Sequence, residues 1–260
     1  MKKLIERFLQ IGCALFLVCA LAPVNAFSQV SVYAEGAYTE TDLAVYIYTD
    51  ITAPTELRSA GVKLTYVTSE LIFASAEKND VGPDGAVGTA DDVWALGTES
   101  YMNPENSSAG EDGEVVIILG KLNTEAASVG VSGDRVLLGR AKFTHTGLTS
   151  FTLGLELGKE HPNHPTDIFA NFVDTESPAN VLDDSIVFGE IKIRERGDAN
   201  ADGSVTPADM IAVRNAYYGG APLGCEPAAD CNDDAVLPNI YPNITPADMI
   251  CIRNKYYTSP

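Results

Sequence analysis

The chain has 260 residues, with 36 Asp and Glu against 17 Lys and Arg, for a formal charge of −19. Such a polyanion repels nucleic-acid phosphates and anionic lipid surfaces, which excludes DNA and RNA as partners, and it suits divalent cations and soluble life outside the cell. The length allows one medium and one small domain.

Residues 1–26 read as a secretory signal peptide. Lys2 and Lys3 give a positive start, Ile11–Leu21 is an apolar run, and Val24-Asn25-Ala26 offers small residues for cleavage before Phe27. The run is shorter than the roughly 20 residues of a membrane span. Val18 ahead of Cys19 fits a lipoprotein site poorly. The expectation is a soluble exported protein, in the periplasm, at the cell surface or in the medium, with no membrane insertion after cleavage.

Residues 27–195 read as β-structure. Leu43, Val45 and Ile47 alternate with Ala44, Tyr46 and Tyr48; Phe151, Leu153, Leu155 and Leu157 alternate over a full strand; Ile191 and Ile193 close the region. Further strands are predicted at Val30–Ala34, Gly61–Tyr66, Leu71–Ala76, Glu114–Leu119, Arg135–Thr146 and Ile168–Val173. About nine short strands between Gly, Asn, Asp and Pro turns predict a two-layer sandwich of jelly-roll type. Within it, Asp80, Asp84 and Asp91 stand at positions 1, 5 and 12 of an acidic loop with Gly85 at position 6, a candidate calcium-stiffened hairpin without flanking helices.

Residues 196–260 contain a duplication. Val205–Tyr218 (VTPADMIAVRNAYY) and Ile244–Tyr257 (ITPADMICIRNKYY) agree at ten of fourteen positions, and both read as helices. Ahead of the first copy, Asp198, Asn200, Asp202, Thr206 and Asp209 put oxygen side chains at loop positions 1, 3, 5, 9 and 12, with Gly203 at 6 and Val205 at 8. Hard oxygens at that spacing converge on Ca²⁺ while the glycine permits the sharp turn; Ser204 adds its carbonyl. The second loop offers Asp230, Asn232, Asp234 and Asp248, but it is seven residues longer within Ala235–Pro242, and Ala235 replaces the glycine. Closure entropy rises only logarithmically with length, so these ligands can still converge, with the Asn243 carbonyl among them. Met210, Ile211 and Val213 read as core.

Cys13 and Cys19 leave with the signal. Of Cys225, Cys231 and Cys251, an oxidising compartment allows one disulfide, with Cys225–Cys231 the simplest pair and Cys231–Cys251 the alternative.

Enzymatic readings find little. His161 and His164 near Asp167 sit in a Pro-rich stretch, and Gly130–Gly133 lacks the spacing of a nucleophile elbow. Direct carbohydrate binding is the alternative function, with Tyr46 and Tyr48 projecting from one side of a strand as the sugar-facing residues.

Two family resemblances follow from these runs. Leu43–Glu77 (LAVYIYTDITAPTELRSAGVKLTYVTSELIFASAE), with Glu114–Gly120, Arg135–Gly147 and Ser150–Leu157, resembles a cohesin domain. Gly197–Tyr218 (GDANADGSVTPADMIAVRNAYY) is similar to the repeat of type I dockerins, the small calcium-dependent partners of cohesins. The resemblance implies a non-catalytic adaptor whose partners bear cohesin or dockerin modules, in the manner of polysaccharide-degrading assemblies. It also implies that Pro207, Ala208, Arg214 and Asn215, mirrored by Pro246, Ala247, Arg253 and Asn254, face the partner. Pro-Ala here replaces the common Ser-Thr, so partner specificity departs from that of the best-known dockerins. The symmetry implies two docking orientations related by a half-turn.

Overall fold

The computed structural model describes residues 30–79, 93–94, 104–120, 130–158, 171–175, 178–234 and 240–258. The candidate signal, the acidic loop with Asp80, Asp84 and Asp91, and His161, His164 and Asp167 lie outside them.

Among the described residues ten strands form two sheets: β1 (Val30–Tyr38), β2 (Asp42–Ile51), β3 (Leu57–Val67), β4 (Ile72–Lys78), β5 (Glu105–Ala109), β6 (Asp112–Gly120), β7 (Gly133–Thr144), β8 (Leu153–Leu157), β9 (Val173–Asp174) and β10 (Ile186–Glu195). One sheet has the order β10-β1-β2-β7-β4; the other runs β5-β6-β3-β8, with β9 also paired to β3. The period-two pattern explains their facing. Val32 and Ala34 of β1, Val45 and Ile47 of β2, Val62 and Leu64 of β3, Val115 and Ile117 of β6, and Leu138 and Phe143 of β7 meet between the sheets around Trp94 and Phe172. Each such aliphatic side chain contributes about 1.5–3 kcal/mol by leaving water.

The strands differ from expectation at two places. β5 was not foreseen, because its sequence Glu-Asn-Ser-Ser-Ala is polar; it forms the edge beyond β6 through main-chain pairing. Of the strand predicted at Ile168–Val173, residues 168–170 lie outside the described residues, and Val173 pairs within β9 (Val173–Asp174).

β1 pairs in parallel with β10 and antiparallel with β2, so the sandwich's first and last described strands lie side by side. The chain therefore leaves the sandwich at the edge of the first sheet, where the Arg196 N–H still bonds the Tyr38 carbonyl at 2.8 Å. Beyond it come α1 (Pro207–Gly219), the four-residue α2 (Glu226–Ala229) and α3 (Pro246–Thr258). Val213 of α1 and Ile252 of α3 meet over Ala199, Ala229 and Cys231 in a core separate from the sandwich's. Among the described residues no helix is long and apolar enough to cross a membrane.

The simpler disulfide pairing does not form. Cys231 is bonded to Cys251, stapling the second loop to α3, and Cys225 is a buried free thiol. Cys225 faces β1 instead, with Sγ 3.7 Å from the Gly36 carbonyl. Burial there pushes its pKa up to about 12.

The helical segment packs on the sandwich. Ala44, Tyr46 and Tyr48 on the outer face of β2 and Leu137 of β7 are buried under Ile240, with Tyr33 and Tyr241 against the same cluster. Ala37 of β1 meets Cys225 and Ala228. β2 is consequently buried on both faces, which its period-two sequence alone did not predict.

Candidate metal centre

The first loop is built on two buried aspartates. Asp198 and Asp209 are both 0% exposed. Asp198 Oδ1 accepts the Asp202 N–H and Oδ2 the Gly203 N–H, each at 3.0 Å. Asp209 Oδ1 accepts the Asn200 N–H at 3.0 Å, and its Oδ2 accepts the Thr206 N–H at 2.8 Å. Asn200 and Asp202 add short turns of their own, to the N–H groups of Asp202 (2.9 Å) and Ser204 (3.0 Å). The main chain reaches this curl through left-handed backbone at Ala201 (φ +60°) and Gly203 (φ +93°), where glycine costs nothing. Gly224 closes against it: a Cβ there would stand 2.2 Å from the Asn200 carbonyl oxygen.

The second loop repeats this geometry despite its extra residues. Asp230 and Asp248 are 2% and 0% exposed. Asp248 Oδ1 accepts the Asn232 N–H at 3.2 Å and Oδ2 the Thr245 N–H at 2.7 Å, matching Asp209 with Asn200 and Thr206. Asn232 Nδ2 donates to Asp234 at 2.9 Å, as Asn200 Nδ2 does to Asp202. Asp233, like Ala201 at loop position 4, has a left-handed backbone (φ +50°). The insertion is bridged by Asn243, whose N–H donates to Asp230 Oδ2 at 3.1 Å and whose Nδ2 donates to Asp234 Oδ1 at 2.8 Å.

Both loops crowd buried carboxylates together. Burial raises the pKa of Asp198, with Asp209 and Asp202 adding repulsion, and burial likewise raises that of Asp248. Asp230 is pushed up to about 6, by burial first and then by Asp248 and Asp233. Asp230 Oδ1 is buried and has no hydrogen-bond partner. A buried carboxylate oxygen left unpaired is costly, and a hard divalent cation is the ligand that such an oxygen fits. Among the described residues no three His, Cys, Asp or Glu side chains are grouped as a metal centre by themselves. Each loop's candidate donor set is mixed: Asp198, Asn200, Asp202, Ser204, Thr206 and Asp209 in one, Asp230, Asn232, Asp234, Asn243 and Asp248 in the other. Oxygen-only sets of this kind suit calcium, which takes six to eight carboxylate, carbonyl and hydroxyl ligands.

The loops carry the helices directly. Thr206 caps α1, with its Oγ1 accepting the Ala208 N–H at 3.2 Å, and Thr245 caps α3 through Ala247 at 3.2 Å. Pro207, Ala208, Arg214 and Asn215 are exposed, as are Ala247, Arg253 and Asn254; Pro246 is half-buried. Arg214 Nη2 donates to Asn215 at 3.2 Å and Arg253 Nη2 to Asn254 at 3.1 Å, so the two faces match in side-chain geometry too.

Ile211 is not core. It is 52% exposed and its counterpart Ile250 54%, while Val213 and Ile252 are buried. Tyr218 and Tyr257 are exposed at 72% and 73%. Ala208, Ile211, Asn215 and Tyr218 follow the three-and-four spacing of a single helix face, the signal in the sequence that identifies them as a stripe.

Tyr46 and Tyr48 do not form a sugar platform. They are 2% and 1% exposed beneath the helical segment, with the Arg140 guanidinium 5.6 Å from the first ring and that of Arg135 4.4 Å from the second. On the outer face of the other sheet Lys63 of β3 pairs with Glu156 (2.7 Å) and Glu114 (3.8 Å), and Val116 and Ile118 of β6 are buried.

No protein-family model matches the chain, and no curated protein matches it. Solved structures similar to it are cohesin modules. The seventh ScaB type I cohesin from Pseudobacteroides cellulosolvens is 11% identical, with a TM-score of 0.37 over 64% of this chain and 92% of that one. The cohesin module of a family 33 glycoside hydrolase from Clostridium perfringens is 13% identical, with a TM-score of 0.36 over 65% and 98%. A non-cellulosomal cohesin from Archaeoglobus fulgidus is 14% identical, with a TM-score of 0.32 over 64% and 91%.

Proposed function

We propose that this chain is an exported, non-catalytic adaptor that joins proteins noncovalently through a calcium-ordered helix pair, in the manner of cohesin–dockerin assembly. The observation that carries the reading is the mirrored face. Ala208, Ile211, Arg214, Asn215 and Tyr218 on α1 are repeated as Ala247, Ile250, Arg253, Asn254 and Tyr257 on α3, each set mounted on a loop with two buried aspartates. Core positions recur in any duplication; exposed Ile, Arg and Tyr at the same places in both copies need a partner to account for them.

Bound calcium would add positive charge at the buried carboxylates beyond that of Arg194, 3.9 Å from Asp198. Asp198 and Asp209 then hold the first loop closed and Asp230 and Asp248 the second. Thr206 and Thr245 start the helices, and Val213 and Ile252 lock them together. Helices of 13 residues are marginal alone, so their order depends on these loops. The domain division at residues 27–195 and 196–260 belongs to this reading, as does a place in an extracellular polysaccharide-degrading complex.

The test is calorimetric titration of the full mature chain with a panel of isolated cohesin and dockerin modules, in millimolar calcium and in EDTA. Saturable binding that EDTA abolishes and that Ile211→Asp/Ile250→Asp weakens supports the adaptor. Retention on polysaccharide gels without binding to any module would replace it with a sugar-binding function.

A further inference from the structure

The second loop departs from the first in its insertion, and Ile240 and Tyr241 of that insertion touch the sandwich. Ile240 is 2% exposed and packs with Ala44, Tyr46, Tyr48 and Leu137. The Tyr241 hydroxyl accepts a hydrogen bond from Asn79 Nδ2 at 2.8 Å, and the same amide donates to the Leu137 carbonyl at 3.0 Å. At the other end of the loop Asp233 lies between the candidate ligands Asn232 and Asp234, and its left-handed backbone turns its carboxylate outward. That carboxylate pairs with Arg196 at 3.3 Å and with Lys142 of β7 at 3.6 Å. The first loop has Ala201 at the corresponding position and no insertion.

Resting on the calcium reading above, we infer that the second loop is a coupling element: its insertion clamps the helical segment to the outer face of β2 and β7, so that calcium binding at this loop and docking of the segment reinforce each other. The donors Asp230, Asn232 and Asp234 precede the insertion, and Asn243 and Asp248 follow it. Asn243 is two residues from Tyr241, so seating Ile240 and Tyr241 on the sheet fixes where the Asn243 end of the loop returns to Asp230. Holding Asp233 with Lys142 and Arg196 fixes the other end. A loop lengthened by seven residues has more ways to close wrongly, and two anchor points on a rigid sheet remove them. Linkage makes the effect reciprocal: whatever docking adds to the second site's affinity, calcium adds to docking. The first site meets the sandwich elsewhere, through Arg194 of β10 3.9 Å from Asp198 and Lys192 bonded to the Gly224 carbonyl, and the substitutions below leave those contacts in place.

The experiment uses the full mature chain. Calcium is titrated calorimetrically into wild type, Lys142→Ala, and Lys142→Ala/Tyr241→Ala, with Asp230→Ala identifying the second site's heat. The second-site Kd should rise at least about fivefold in the double variant, the lower end of common coupling energies, while the first-site Kd stays put. In parallel, hydrogen exchange of wild type with and without calcium should show β2 and β7 protected by the metal around Tyr46 and Leu137. Unchanged second-site affinity in a folded double variant overturns the coupling, and so does sheet exchange indifferent to calcium. If the double variant does not fold, Lys142→Ala and the wild-type exchange decide by the same criteria. A single calcium site unaffected by Asp230→Ala overturns the coupling while leaving the first loop's role intact; no calcium binding at all removes the underlying reading as well.

Discussion

Thr206 and Asp209 cap α1 reciprocally. Thr206 Oγ1 accepts the Ala208 N–H, while Asp209 Oδ2 accepts the Thr206 N–H at 2.8 Å. Thr245 and Asp248 repeat the arrangement at α3, with the second bond at 2.7 Å. The last carboxylate of each loop therefore both starts a helix and closes a candidate metal site, joining metal occupancy to helix order through one side chain.

Asp209→Ala separates those two roles. Loss of the cap should cost about 1 kcal/mol in EDTA. In millimolar calcium the cost should be larger, because the first site is lost as well. Urea unfolding followed by circular dichroism near 222 nm checks this; equal costs in the two buffers would deny the carboxylate any part in metal binding.

The disulfide predicts a sharp contrast among the three thiols. Cys231 and Cys251 are 20 residues apart in sequence, and breaking a closure of that size costs about 3 kcal/mol. Cys231→Ser/Cys251→Ser should therefore melt the helical segment well below the sandwich. In the native chain Cys225, buried against β1 with its pKa pushed up to about 12, has almost no thiolate at neutral or mildly alkaline pH. Iodoacetamide should leave it unmodified until denaturant is added, as intact-mass measurement will show.

The exposed isoleucines should matter to a partner and not to the fold. Ile211→Ala and Ile250→Ala should each change stability by under about 0.5 kcal/mol, the range of ordinary surface substitutions. If a partner docks in either of two orientations, one substitution removes one of them and weakens binding by only about twofold. The double variant, spoiling both, should bind far more weakly. A single variant as damaged as the double would contradict two-way docking.

Tyr48 tests the burial of the β2 outer face. Its hydroxyl is buried with no hydrogen-bond partner, and burial holds its pKa well above the ordinary tyrosine range. Tyr48→Phe removes only that hydroxyl, so thermal unfolding should show stability unchanged or raised. Tyr48→Ala should cost several kcal/mol, on the order of 3–5, by opening a cavity beneath Arg135. A solvent-exposed sugar platform would give the opposite pattern, little cost for alanine and loss of polysaccharide retention.

The inward faces were legible in the sequence because Val45, Ile47, Val62 and Leu64 alternate with shorter or polar neighbours, and the turn geometry of the first acidic loop was legible because its oxygens and glycine stand at fixed spacings. Both are local patterns. What was not legible depends on contacts distant in sequence. Tyr46 and Tyr48 look like exposed strand residues until Ile240, almost two hundred positions later, covers them. Cys231 finds Cys251 rather than nearby Cys225 because Cys225 is held under β1. The polar strand Glu105–Ala109 carries no hydrophobic alternation and pairs through main-chain groups and the Ser107–Glu114 hydrogen bond. Ile211 was misread for a different reason: its apolar character outweighed its helix phase, which sets it on the face of Ala208 and Asn215 and away from Val213.

Whether calcium orders the duplicated helix pair is decided by titrating calcium into metal-stripped full mature chain, with heat and far-UV circular dichroism recorded together. Two saturable sites with a concurrent gain of helix signal, one lost in Asp198→Ala and the other in Asp230→Ala, is the predicted result. A chain that keeps its full helix signal in EDTA and takes up no calcium would contradict it.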